Sequence, residues 1–201
     1  MNGRCEKWQL ICGRYASEFS CKFEHDPFHQ SGDGRFVFVL DRPTKKENGF
    51  GFPAVGETGD NLCRLLGLLQ ERCWTDGLCR FDVGIVDVND ENGRRRDKKR
   101  VLDEIGTSDN VIVCGFEARK VIQKLKENLK ESAIICCPHL SVRGLMAGVP
   151  DIDWRSTINE ALRFVAGFLI QCITSGEKRY FDICEFEKYC TESASRPTTV
   201  A

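Results

Sequence analysis

The chain has 201 residues, of which 41% are hydrophobic, and its 29 basic and 30 acidic side chains leave a formal charge of -1. This length is enough for one domain with a substantial core. The near-zero charge excludes binding to nucleic acid through a global positive field, although a local basic surface remains compatible with it. We find no export signal and no apolar run that could cross a bilayer, so we expect a cytoplasmic protein without membrane partners.

The twelve cysteines first suggest a disulfide scaffold or a metal site. A chain without an export signal is expected to keep its thiols reduced, and no C-x-x-C pair occurs in the sequence. Cys114, Cys136 and Cys137 lie in apolar runs, where a free cysteine packs as a small hydrophobic side chain. We therefore predict buried thiols, no metal and no cofactor.

The first part of the chain predicts a helix over residues 5–19, followed by a loop over residues 23–35. The loop places His25 and His29 close to Asp26, a combination that can bind a metal ion. Since the same loop contains proline and glycine, we favour a solvated connection.

The segment from Phe36 to Gly59 predicts the front of a β-α unit. Its first five residues, Phe-Val-Phe-Val-Leu, form an apolar run typical of a strand that is buried on both faces. A polar loop rich in glycine follows, and then a helix with its cap near Asp60 or Asn61. Open α/β sheets bind their ligands at such a strand-to-helix connection.

Three further apolar runs predict strands, and two periodic segments predict helices. The strands are residues 83–88, 110–115 and 133–137, and the helices are residues 116–129 and 157–173, the latter being the last long helix. Because strands and helices alternate, the sequence predicts a three-layer α/β/α fold with a central four-stranded parallel sheet. We expect a single domain over residues 1–190 and a flexible tail over residues 191–201.

Residues 89–93, Asn-Asp-Glu-Asn-Gly, predict a turn after the second strand, and a basic run follows at residues 94–100. This run is either the solvated start of a helix or a contact for DNA phosphates. The loops that leave the carboxyl ends of the strands should converge in one crevice. They would bring together a carboxylate, a second polar side chain and a histidine: Asp41, Asp87 and His139.

In their order, these motifs resemble the uracil-DNA glycosylase superfamily, and especially the branch whose first motif reads Gly-Glu-Ala-Pro-Gly. The five corresponding segments are residues 40–44, 51–59, 85–88, 111–118 and 139–141, so the resemblance covers about residues 36–146. It implies an enzyme that flips a base out of DNA and hydrolyses its N-glycosidic bond, leaving an abasic site. Asp41 would orient or activate water near the sugar, and His139 would donate a hydrogen bond to O2 of the departing base.

The resemblance also implies residues that contact DNA, either single- or double-stranded, without an obligate protein partner. An apolar wedge after His139 would replace the flipped base in the duplex. The expected DNA contacts are Arg42, Lys45, Lys46, Ser141, Arg143, Leu145 and Met146, with Val142 in the same loop. The iron-sulfur cluster of the branch is not expected, because no cysteine lies between Cys79 and Cys114 and Cys12 and Cys21 are too widely spaced.

Several residues depart from the pattern at the expected base pocket. Leu40 replaces a glycine at the pocket floor, and Ala54 replaces the phenylalanine on which uracil stacks, a role that Phe52 or Phe50 could take over. Asp87 stands where an asparagine reads uracil, and its carboxylate would instead accept from an exocyclic amino group such as cytosine N4. If the alignment shifts by two residues, Asn89 becomes the base-reading residue, and uracil is again the expected substrate.

These departures lead to the hypothesis that the substrate is a modified cytosine, such as the hydroxymethylated or glucosylated base of phage DNA. The enzyme would then serve antiphage defence. The conservative alternative is uracil excision in DNA repair. A non-catalytic DNA- or nucleotide-binding protein on the same fold, or an ordinary α/β domain in which Asp41 and His139 are loop residues, also remains open.

Overall fold

The computed structural model describes residues 36–42, 56–73, 83–90, 92–149 and 158–194. The predicted first helix at residues 5–19, the histidine-containing loop and most of the glycine-rich loop lie outside these ranges. The same holds for four of the predicted site residues: Lys45, Lys46, Phe52 and Ala54.

The described part of the chain forms an α/β fold around one parallel sheet. Its strands are β1 (Phe36–Leu40), β2 (Val83–Asp87), β3 (Asn110–Cys114), β4 (Ala133–Cys137) and β5 (Tyr180–Phe181), in the order β2-β1-β3-β4-β5. The four predicted strands are confirmed, but the predicted number is wrong because β5 adds a fifth. Two residues are too few to show a strand periodicity, and β5 is defined only by its pairing with Ile134 and Ile135.

In the ranges that the structure describes, six α-helices connect and follow the strands. They are α1 (Glu57–Cys73), α2 (Lys98–Ile105), α3 (Phe116–Leu125), α4 (Val142–Gly148), α5 (Ile158–Ser175) and α6 (Ile183–Ala194), and a 3₁₀ turn, Lys126–Leu129, extends α3. Helix α1 begins one turn before the predicted cap, since the amide of Asp60 already donates to the carbonyl of Gly56. Helix α5 is not the last helix, and α6 includes residues 191–194 of the predicted tail.

Alternate side chains of each strand enter two separate hydrophobic clusters. Phe36, Phe38 and Leu40 of β1 pack with α1, α5 and α6, whereas Val37 and Val39 pack with α2 and α3 on the other face. Helices therefore cover both faces of the sheet, which explains why all five residues of β1 are buried.

The sheet order reverses at β1, because β2 lies on one side of it and β3 on the other. In open α/β sheets, ligands bind in the crevice beyond the carboxyl ends of the strands at such a reversal. The residues that follow these ends here are Asp41 after β1, Asn89 after β2, Gly115 after β3 and His139 after β4. Among the described helices, none combines the length and the apolar character that crossing a membrane requires.

Candidate active site

Asp41 is held by the neighbouring strand end at the carboxyl edge of the sheet. Its carboxylate Oδ1 accepts a hydrogen bond of 2.6 Å from Nδ2 of Asn89, and its carbonyl accepts from the Asn89 amide at 2.9 Å. Asn89 is only 6% exposed, while Asp41 is half-buried. The buried amide therefore fixes the orientation of a carboxylate that still reaches solvent.

The predicted turn after β2 is confirmed, and it fixes the position of Asn89. The Asp90 carboxylate accepts from the amides of Asn92 and Arg94, and the amide of Gly93 donates to the Asp90 carbonyl. Gly93 has a φ of +74°, a conformation that glycine adopts without strain. An isolated antiparallel bridge between Asn89 and Arg95 closes the turn.

The basic run after the turn is partly structural and partly exposed. Arg96 pairs with Glu104 and donates to the backbone carbonyl of Asp87 at 2.7 Å. Asp97 caps α2 by accepting from two of its first amides. The remaining basic side chains of the run are exposed: Arg94, Arg95, Lys98, Lys99 and Arg100. The last three form the first turn of α2, which confirms the solvated start of a helix, and the contact with DNA phosphates stays a prediction.

His139 is half-buried, and one of its ring nitrogens has a defined role. The backbone amide of Ser141 donates to Nδ1 at 3.1 Å, so in the neutral imidazole the proton is on Nε2. Ser141 itself caps α4, because its Oγ accepts from the amide of Gly144 at 3.1 Å. Ser141, predicted as a DNA contact, thus has a local role in the loop that carries His139.

Two glycines pack directly against His139. A Cβ atom on Gly115, whose φ is +88°, would lie 2.9 Å from Cβ of His139. A Cβ atom on Gly144 would lie 2.4 Å from the carbonyl oxygen of His139. Both distances are too short for a side chain, so His139 is held between the end of β3, which meets its side chain, and the first turn of α4, which meets its backbone carbonyl.

The first turn of α1 also holds the histidine loop, a contact that the sequence analysis missed. Asn61, which is 3% exposed, donates from Nδ2 to the carbonyl of Leu140 at 2.7 Å. The carboxylate of Glu57 accepts from the backbone amide of Val142 at the start of α4. Glu57 and Asn61 are one turn apart, which was the available signal that they share a helix face, but nothing local indicates which loop that face meets.

Two of the predicted contact residues are core residues. Leu40 is 5% exposed and packs in the cluster beneath α1, and Leu145 is completely buried. The prediction of Leu145 as an exposed wedge is wrong, because residues 142–148 form a helix that turns this side chain toward Leu140 and Val149. Val142 is the exposed apolar side chain of this helix, at 38%.

The other predicted residues lie at or near the same edge. Asp87 pairs with Leu40 in the sheet register and is half-buried, and by strand alternation it faces the same side as Ile85. Arg42 and Arg143 are exposed, and Met146 is half-buried. The guanidinium of Arg42 lies beside the turn, since a Cβ atom on Gly93 would be 2.8 Å from its Nη1.

The seven cysteines whose side chains the structure describes are free thiols, and six of them are buried. The Sγ atoms of Cys114 and Cys137 are 3.6 Å apart, far beyond the length of a disulfide bond. Burial raises the pKa of Cys136, Cys172 and Cys190 to about 12, so these thiols are protonated and unreactive at neutral pH. Within the described ranges, no group of histidine, cysteine and acidic side chains could hold a metal ion.

The edge thus combines a fixed carboxylate after β1 with a histidine after β4. Strands β1 and β4 are separated by β3 alone, and two strand spacings correspond to about 10 Å. The edge therefore presents a hydrogen-bond acceptor, Asp41, and a hydrogen-bond donor, His139, on either side of β3. No protein-family model and no curated protein matches the chain, so the family resemblance depends on the motifs alone.

Proposed function

We propose that this chain is a DNA glycosylase that hydrolyses the N-glycosidic bond of a flipped-out, non-standard base. The observation that carries the proposal is the state of His139, whose Nδ1 accepts from the Ser141 amide. The neutral ring then has its proton on Nε2 and can donate to a carbonyl oxygen of a base. The oriented carboxylate of Asp41 lies at the same edge of the sheet.

The two groups suit the charge that develops when a glycosidic bond breaks. Positive charge grows on the sugar, where the Asp41 carboxylate would stabilise it and orient the attacking water. Negative charge grows on the departing base, where His139 would donate to O2. A donor of this kind typically contributes about 3 kcal/mol to stabilising the transition state. The hydrogen bond from Asn89 uses only one of the several acceptor positions of the Asp41 carboxylate, which leaves others for water.

For the substrate we propose a modified cytosine, hydroxymethylated or glucosylated, which would make the enzyme a defence against phage DNA. The support is the chemistry of the two candidate readers. Asn89 donates its amide to Asp41, and Asp87, which pairs with Leu40 in the sheet register, ends β2 with a carboxylate, a group that accepts from cytosine N4. Uracil is the alternative substrate if Asn89 rotates toward the base.

Exposed arginines next to the edge would hold the DNA backbone. Arg42 lies beside the turn that also presents Arg94, and Arg143 is exposed on the helix that follows His139. Guanidinium groups bind phosphate oxygens well because they present several donors in one plane.

The experiment is alkaline cleavage of oligonucleotides that carry uracil, hydroxymethylcytosine, glucosylated hydroxymethylcytosine, hypoxanthine or ordinary bases. We expect abasic sites at a modified cytosine with the wild type, and a loss of at least about 100-fold in rate with His139→Ala or Asp41→Asn. Asp109→Asn is the matched control, because Asp109 lies at the opposite edge of the sheet, where it pairs with Lys178.

Other outcomes distinguish the alternatives. Cleavage confined to uracil would assign base reading to Asn89 and place the enzyme in DNA repair. Binding of DNA without cleavage of any base would refute the catalytic proposal and favour a binding protein. Equal activity in wild type and both variants would show that Asp41 and His139 are not the catalytic pair.

A further inference from the structure

An exposed aromatic ring borders the candidate site. Phe116 is the first residue of α3, directly after Gly115, and it is 61% exposed. Every other phenylalanine or tyrosine in the described ranges is buried or half-buried. Gly115 contacts His139, so Phe116 directly follows a residue that packs against the candidate catalytic histidine.

Basic side chains surround this ring. Nζ of Lys120 lies 4.0 Å from the ring centroid, and the guanidinium carbon of Arg119 lies 5.8 Å from it. Arg95 reaches the same turn of α3, because it pairs with Glu117 at 3.6 Å. Three cations and one carboxylate therefore lie within a turn of an exposed aromatic ring.

This combination fits a single strand of nucleic acid. An aromatic ring stacks on an unpaired base of any sequence, and adjacent lysine and arginine side chains neutralise the phosphates on either side of it. A protein partner would also use an exposed aromatic residue, but it would not require an excess of positive charge around the ring. The positive charge around the ring therefore favours a nucleic acid over a protein as the ligand.

We propose that Phe116 is a stacking platform for an unpaired base next to the target nucleotide, with Lys120 and Arg95 on the neighbouring phosphates. The inference rests on the proposed function, because it takes DNA as the ligand of this edge. It adds that the enzyme prefers a single-stranded or locally opened substrate over a fully paired duplex.

The test compares two fluorescent 12-mers in binding experiments with the full chain: oligo-dT, and an oligomer of the same length whose residues are all abasic. Phe116→Ala should weaken binding of oligo-dT by roughly 5- to 150-fold, the range expected for the loss of one stacked base. It should leave binding of the abasic oligomer unchanged. Phe116→Trp should preserve the difference between the two oligomers.

Two further variants separate stacking from general effects. Lys120→Ala should weaken the binding of both oligomers to the same extent. It should also reduce the salt dependence of binding, by about 0.7 in the slope of log K against log salt for each lost phosphate contact. Lys130→Ala removes an exposed cation before the amino end of β4, at the opposite edge of the sheet, and should change neither affinity. The proposal is overturned if Phe116→Ala binds oligo-dT like the wild type, or if it weakens both oligomers equally.

The same measurements keep this proposal distinct from the glycosylase proposal. Binding that depends on Phe116 and on bases, in a protein that cleaves no base, would refute the catalytic function and leave the platform standing. The opposite result is also possible: the wild type cleaves a modified base, and Phe116→Ala binds and cleaves single strands normally. This would refute the stacking platform and support the glycosylase proposal. If neither oligomer binds to the wild type, the stacking proposal fails, whereas the glycosylase proposal is decided by the cleavage of oligonucleotides that carry modified bases.

Discussion

Both the side chain and the backbone of His139 are held by neighbouring residues. Gly115 packs against its side chain and Gly144 against its backbone carbonyl, and the amide of Ser141 sets the tautomer of its ring. An exposed loop histidine would sample many orientations, whereas this one is held at both the backbone and the imidazole. At the level of single residues, the glycines are therefore as important for the site as the histidine.

Gly144→Ala tests this packing. The new methyl group would meet the carbonyl oxygen of His139 at 2.4 Å, so the loop must move. We expect a loss of about 1–3 kcal/mol in the free energy of unfolding, measured by urea denaturation, and a parallel loss of base excision. Ala147→Ser is the control, because Ala147 is exposed in the same helix. Unchanged stability and activity in Gly144→Ala would contradict the contact.

At the level of elements, the first turn of α1 fixes the entry into α4. Asn61 binds the carbonyl of Leu140, and Glu57 binds the amide of Val142, the first residue of α4. These two hydrogen bonds connect the loop between β4 and α4 to the start of the helix that follows β1. Glu57 is also placed favourably for its own helix, since a carboxylate in the first turn interacts well with the helix dipole.

Asn61→Leu should break this connection. It leaves the buried carbonyl of Leu140 without its donor, at a cost of about 1–3 kcal/mol in the free energy of unfolding. We expect kcat for base excision to fall as well, because the same loop carries His139. Asn159→Ala provides the comparison, since that side chain is exposed and its hydrogen bond with Arg64 is long, at 3.4 Å. Equal stabilities of the two variants would argue against the role of Asn61.

At the level of the whole molecule, buried thiols make the stability of the fold decrease at alkaline pH. Burial raises the pKa of Cys136, Cys172 and Cys190 to about 12, whereas thiols in an unfolded chain ionise near 8.5. Above pH 8.5 the unfolded state therefore binds fewer protons than the folded state. The contribution of these thiols to stability is complete below pH 8.5 and is lost as the pH rises toward 12.

We expect the free energy of unfolding, measured by urea denaturation at a series of pH values, to fall steadily between pH 9 and 11. Cys136→Ala should reduce the slope by about one proton per molecule. Cys184→Ala should leave it unchanged, because Cys184 is exposed. A flat profile over this range, or an equal effect of both variants, would show that the buried thiols do not control the alkaline response.

The sequence by itself determined the local elements. The apolar runs of β1 to β4 are unbroken and bounded by polar residues, so the strands, the α/β class and the turn after β2 could be predicted from neighbouring residues alone. Because parallel strands bring their carboxyl ends to one edge, the sequence also predicted that Asp41 and His139 would lie at the same edge of the sheet.

Only the tertiary structure decided which side chains contact one another across that edge. The bond between Asn89 and Asp41 depends on β1 and β2 being neighbours, and the bond between Asn61 and Leu140 joins residues 79 positions apart. Leu145 is buried because α4 packs against α5, and β5 exists because β4 pairs with it. A sequence pattern shows the periodicity of one element, whereas these contacts are set by the register and packing of several elements. The geometry of the site consists of such contacts, so the sequence pattern alone does not predict it.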